Sequence, residues 1–94
     1  QNIAPAEIEE VVVRHPLVKD CAIVGIKHAT LGEVPCLFVV PKQNEIDIPA
    51  LMDYCRAHLS AYKIPEATHV VAEIPRTGSG KIMRFKLVEA LNQA

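Results

Sequence analysis

Cys21-Ala22-Ile23-Val24-Gly25-Ile26 and Pro35-Cys36-Leu37-Phe38-Val39-Val40 are two short apolar runs. Each has the length of a buried strand. Lys27 to Glu33 lies between them and reads as a polar loop holding Gly32; such a loop suits contact with a partner surface. Pro41 ends the second strand. Upstream, Pro5 sits where an early-turn proline is tolerated. Glu7, Glu9 and Glu10 suit a helix N-terminus, and Arg14 and His15 its C-terminus. Ile8, Val11 and Val12 make one apolar face, and Pro16 stops that helix. Downstream, Asp47 is a cap for a second helix, with Pro49 in its first turn and a stripe of Ile48, Leu51, Met52, Cys55 and Leu59. Lys63-Ile64-Pro65 breaks the chain. Thr68 to Ile74 reads as a third strand, Pro75 to Gly80 as a loop, and Met83 to Asn92 as a final helix carrying Leu87, Val88 and Leu91. The order α-β-β-α-β-loop-α predicts an α+β fold, a small three-stranded sheet with helices packed on it.

Ninety-four residues make a single domain, 1–94. The net charge of −1, from ten basic and eleven acidic residues, offers no basic face to nucleic acid or to an anionic membrane. No apolar run approaches the roughly 20 residues of a membrane helix. Cys21, Cys36 and Cys55 are odd in number, lack a CxxC spacing and sit in apolar stretches, so each reads as a core residue of a reduced, cytoplasmic protein. His15, His28, His58 and His69 share no ligand spacing, and no metal site is expected. A chain opening on Gln1 rather than Met is expected to be a piece of a longer one.

Pro75-Arg76-Thr77-Gly78-Ser79-Gly80-Lys81-Ile82-Met83-Arg84 is the segment richest in chemistry. Gly78, Ser79 and Gly80 permit unusual backbone angles and close approach of a ligand. Lys81 follows at once, at the tip of what reads as a mobile loop, where an ammonium can meet charge developing on phosphorus or a carboxylate. A phosphate-binding P-loop needs GxxxxGK[ST]; Pro75 and Ile82 stand at the two positions where that pattern fails. Taken alone, the segment reads equally as a surface turn with a solvated lysine. Arg84 and Lys86 read as solvated helix charges.

Other motifs precede this loop in order: Asn2-Ile3-Ala4-Pro5-Ala6-Glu7-Ile8-Glu9-Glu10, His15-Pro16, Ala22-Ile23-Val24-Gly25, Leu31-Gly32-Glu33 and Tyr62-Lys63-Ile64-Pro65. With Pro75-Arg76-Thr77 and Ser79-Gly80-Lys81-Ile82, they resemble the C-terminal domain of the adenylate-forming superfamily. That superfamily includes acyl- and aryl-CoA synthetases, peptide-synthetase adenylation domains and beetle luciferase. The resemblance runs from about Asn2 to Leu91. Ser79-Gly80-Lys81-Ile82-Met83-Arg84 is closest in wording to the acyl-CoA synthetase branch.

The resemblance implies a ligase of two half-reactions, with ATP, magnesium and CoA held mainly by a large N-terminal domain of the same chain. A carboxylic acid, of fatty acid metabolism or another source, first gives acyl-AMP, and a thiol then displaces AMP. Lys81 is implied as the catalytic residue of adenylation, with Gly78, Ser79 and Gly80 giving the loop its reach. Gly25 is implied to line the pantetheine path, Tyr62 to meet the CoA adenine and Lys63 to touch a CoA phosphate. Gly25 also reads as a strand end and Tyr62 as ordinary core. Some relatives carry basic residues where Ile64 and Glu66 stand here, which puts the CoA phosphate contacts in question. Two other readings remain: an aryl-AMP ligase loading a carrier protein, and a non-catalytic small α+β binding module.

Overall fold

The computed structural model describes residues 3–93. Gln1, and the Asn2 that opens the first motif, lie outside the described residues. Helix α1 spans Pro5–Val13, with proline in its first turn where a missing N–H costs nothing. Strands β1, Val18–His28, and β2, Gly32–Pro41, follow. Helix α2, Ile48–His58, is capped by Asp47, whose side chain accepts from the Ala50 N–H at 3.0 Å. A 3-10 turn at Ala61–Lys63 leads to β3, Ala67–Val70, and α3 closes the fold at Arg84–Asn92. The α-β-β-α-β-loop-α order read from the sequence is the observed one.

The sheet is ordered β1-β2-β3. β1 and β2 are antiparallel, pairing Ile23 with Leu37, Gly25 with Pro35 and His28 with Gly32. β2 and β3 are parallel, because α2 carries the chain across the sheet before β3 begins. The period-2 alternation of strand side chains divides the core in two. Cys21, Ile23, Leu37 and Val39 face Ile8 and Val12 of α1 and Leu51 and Cys55 of α2. Ala22, Val24, Cys36, Phe38 and Val40 face Ile74 and Leu87 on the α3 side.

Several details differ from the sequence reading, β1 first: it begins at Val18 and runs through Gly25 to His28, so Gly25 is no strand end. The polar loop of Lys27 to Glu33 is mostly strand: Lys27 pairs with Glu33, and only residues 29–31 turn. His28 holds that turn, its Nδ1 accepting from the N–H groups of Thr30 and Leu31 at 3.2 Å each. The third strand ends at Val70, although the Val71 N–H still bonds the Val39 carbonyl; Ile74 is buried as a core residue of the following loop. Met83 is the residue before α3 rather than its first.

Candidate functional site

The lysine segment is drawn shut rather than left open. Arg76 and Ile82 form an antiparallel bridge, and the Thr77 N–H bonds the Lys81 carbonyl at 2.9 Å. The Gly80 N–H returns to the Thr77 carbonyl at 2.9 Å, and the Met83 N–H to the Pro75 carbonyl at 2.9 Å. Thr77 Oγ1 accepts from the Lys81 N–H at 3.1 Å and lies 3.0 Å from the Ser79 hydroxyl. Gly78 and Ser79 are the tip, so Lys81 stands on the returning limb. Gly80 has φ +89°, the left-handed region that side chains resist. Lys81 is exposed, and its ammonium meets no acceptor among the described residues.

Both limbs of this loop are tied to the free edge of β1. Arg76 forms a two-pronged ion pair with Asp20, one prong at 3.1 Å, and that hydrogen bonding raises the guanidinium above its ordinary value. Arg84 donates through Nε to the Ile23 carbonyl at 2.9 Å and through Nη2 to Glu9 Oε2 at 2.8 Å. The same Glu9 oxygen accepts the Ile23 N–H at 2.7 Å. Glu9 and Arg84 thus satisfy both backbone groups that Ile23 turns away from β2, as a neighbouring strand would. Arg84 is therefore a partly buried tether to the strand edge and not the solvated helix charge its sequence context implied.

Gly25 and Tyr62 lie elsewhere, toward the far end of β1. A groove of about 330 Å³ is lined there by Leu31, Glu33, Pro35, Tyr62, Ile64 and Glu66 among others. Gly25 borders it through its pairing with Pro35, and a Cβ on Gly25 would stand 2.4 Å from Cδ of Glu33. The Glu33 carboxylate thus covers the open face of Gly25. Tyr62 is half exposed rather than core. Lys63 is not free: its ammonium bonds Glu7 Oε2 at 2.7 Å and lies 5.5 Å from the centre of the Tyr62 ring. The hydrogen bond to Glu7 raises the lysine above its usual value. The three cysteines are buried and unpaired. Burial, with Glu9 and Asp20 nearby, pushes Cys21 up to about 12.

The domain therefore carries two separate candidate places, a cation on a braced loop and, at the other end of β1, a groove whose rim holds the carboxylates of Glu33 and Glu66. Residues 7–81 match the family described as the AMP-binding enzyme C-terminal domain, a span that starts on Glu7 and ends on Lys81. The chain belongs to that family. This AMP-binding enzyme C-terminal domain is 39% identical over 92 residues to the 2-succinylbenzoate–CoA ligase of Geobacillus sp. (strain WCH70), covering 97% of this chain and 19% of that protein. It is 41% identical over 86 residues to the long-chain-fatty-acid–CoA ligase of Salmonella typhimurium, covering 92% of this chain and 15% of that one. In structure it superimposes on a double mutant of the o-succinylbenzoate CoA synthetase of Bacillus subtilis, bound with its product analogue OSB-NCoA. The TM-score there is 0.88 at 34% identity, covering 95% of this chain and 18% of that one. The AMP-binding enzyme C-terminal domain described here thus spans less than a fifth of the length of these relatives.

Glu9, Asp20, Arg76 and Arg84 were not legible as a set. The available signal was the placing of an arginine on either side of Lys81, since arginine, unlike lysine, offers a fork to carboxylates and carbonyls. Among the described residues no cluster of His, Cys, Asp and Glu could hold a metal ion, and no helix is long and apolar enough to cross a membrane.

Proposed function

We propose that residues 1–94 are the mobile C-terminal domain of a cytoplasmic, AMP-forming acid–thiol ligase. It works with a large N-terminal domain of the same protein, which holds most of the contacts to ATP, magnesium, CoA and the carboxylic acid. By itself the domain is inactive. The observation that carries this reading is Lys81, an exposed ammonium without a partner, presented on a loop whose other basic residues are all engaged. In the first step the carboxylate attacks the α-phosphorus of ATP. A carboxyl–phosphorus bond forms and pyrophosphate leaves. Lys81 sits between the carboxylate and the α-phosphate oxygens, where a compact cation offsets the charge that builds in the transition state.

In the second step the CoA thiol gives up its proton to solvent and its sulfur attacks the acyl carbon. AMP leaves with the electron pair of the broken C–O bond. The domain turns so that the groove end faces the reacting centre. Gly25, lacking a side chain, leaves room for the pantetheine arm once the exposed Glu33 carboxylate swings off it, while Tyr62 lies against the adenine and Lys63 exchanges Glu7 for a phosphate. The family, and the names of its CoA-ligase relatives, support this assignment of the reaction.

The test is Lys81→Ala in the full-length ligase. Acyl-AMP formation, followed by pyrophosphate release, falls about 10²- to 10³-fold, as for loss of one charge-stabilising group. Thioester formation from supplied acyl-AMP stays near the parent rate. Acyl-AMP formation at the parent rate would remove Lys81 from this role.

A further inference from the structure

The two ion pairs at the base of the lysine loop come from both limbs and end on the same strand region. Arg76, on the outgoing limb, reaches Asp20 at the start of β1. Arg84, just past the returning limb, reaches Ile23 of β1 and Glu9 of α1. Between these anchors the backbone closes on itself through the Arg76–Ile82 bridge and the Thr77–Lys81 and Gly80–Thr77 hydrogen bonds. The Lys81 backbone is thus bonded on both its N–H and its carbonyl, and its side chain is exposed. The carboxylates of Asp20 and Glu9 neutralise the flanking guanidiniums, while Lys81 is left uncompensated.

We propose that Asp20–Arg76 and Glu9–Arg84 are positioning pairs for the adenylation step, which hold Lys81 in register with the α1–β1 body. This rests on the reading of Lys81 given under Proposed function. Small displacements of a catalytic group are costly, a misplacement of about 1 Å being worth as much as 10²-fold in rate. A loop freed at one limb loses that registration while keeping its lysine. Neither arginine touches substrate; each acts through Lys81.

The experiment uses the full-length ligase and separates the half-reactions by pyrophosphate release and by thioester formation from supplied acyl-AMP. Arg76→Gln and Arg84→Gln each slow acyl-AMP formation about tenfold or more and leave the thioester step within about twofold, the split expected of a defect confined to one transition state. In a Lys81→Ala background Arg84→Gln lowers the residual adenylation rate no further, because the two changes share one route. Asp20→Arg together with Arg76→Asp recovers part of the rate lost to Asp20→Arg alone. Should Arg84→Gln fail to fold, the Arg76 and Asp20 variants carry the test, since that pair is partly exposed.

Equal slowing of both half-reactions overturns the proposal, as does an additive loss with Lys81→Ala. If Lys81→Ala is crippled while Arg76→Gln and Arg84→Gln adenylate normally, only the positioning role falls. If Lys81→Ala itself adenylates normally, the assigned function falls first.

Discussion

The Lys63 ammonium is held 2.7 Å from the carboxylate of Glu7, 56 positions away in sequence. The pair joins the 3-10 turn that carries Tyr62 to the first turn of α1. A phosphate that engages Lys63 therefore competes with Glu7. Because the hydrogen bond raises the lysine, the attraction is fully present below the ordinary value of 10.5 and fades only as pH rises through the raised one. The competition is thus undiminished at neutral pH. Glu7→Gln is expected to lower the KM for CoA, by about two- to fivefold given the modest strength of exposed pairs, with pyrophosphate release unchanged. An unchanged or higher KM would separate Lys63 from the CoA phosphates.

The two loop glycines differ in what they permit. Gly80 has φ +89°, whereas a Cβ on Gly78 meets nothing within 4 Å and its φ is not in the left-handed region. Gly80→Ala is expected to cost about 1 kcal/mol of loop conformation and to slow adenylation. Gly78→Ala is expected to leave both half-reactions unchanged. Side-by-side rates of acyl-AMP formation check the contrast.

Gly25 tests the other place proposed for chemistry. A Cβ there collides with the Glu33 carboxylate, the far end of an exposed, flexible side chain, so Gly25→Ala folds with Glu33 displaced. Gly25→Leu is expected to slow thioester formation from supplied acyl-AMP at least about tenfold, while adenylation changes far less. Equal loss in both steps, with a lowered Tm, would make Gly25 a structural residue instead.

The cysteines predict an alkaline weakness. Burial raises all three thiols, and Cys21 rises from 9.0 to about 12. Above pH 9 the unfolded chain releases a proton that the folded chain keeps, so stability falls as pH rises from 9 toward 12. Urea midpoints of the isolated domain should drop across that range, and the drop should be shallower in Cys21→Ala. At pH 8 the folded domain should resist thiol reagents until urea exposes the sulfurs. A thiol that reacts at once in native buffer would contradict the burial described.

The elements were legible wherever apolar spacing and breakers coincide. Ile8 and Val12 announced α1, Asp47 and Pro49 announced α2, and the two apolar runs announced β1 and β2. Apolar runs mark only the covered length of a strand, however, and so the β1–β2 hairpin outran its reading: Lys27 and Glu33 pair beyond the helices, where no apolar residue is required. β3 was placed too long because Ile74 is buried without being paired, and burial is all that hydrophobicity reports. The exposure of Lys81 beside a glycine turn was legible because glycines and a lone cation advertise themselves. Its supports were not, because an ion pair such as Glu9–Arg84 spans 75 positions, and nothing in the local text of either residue names the other.

One strand carries the consequence of all this. Asp20 and Ile23 hold the lysine loop, and Gly25, two residues on, borders the groove. The two proposed places are therefore mounted on a common axle. On the proposed function they cannot take independent positions: whatever turn presents the groove carries the cation away by the same motion. Retreat of Lys81 needs no separate signal, and the exchange of one face for the other becomes a property of the mounting.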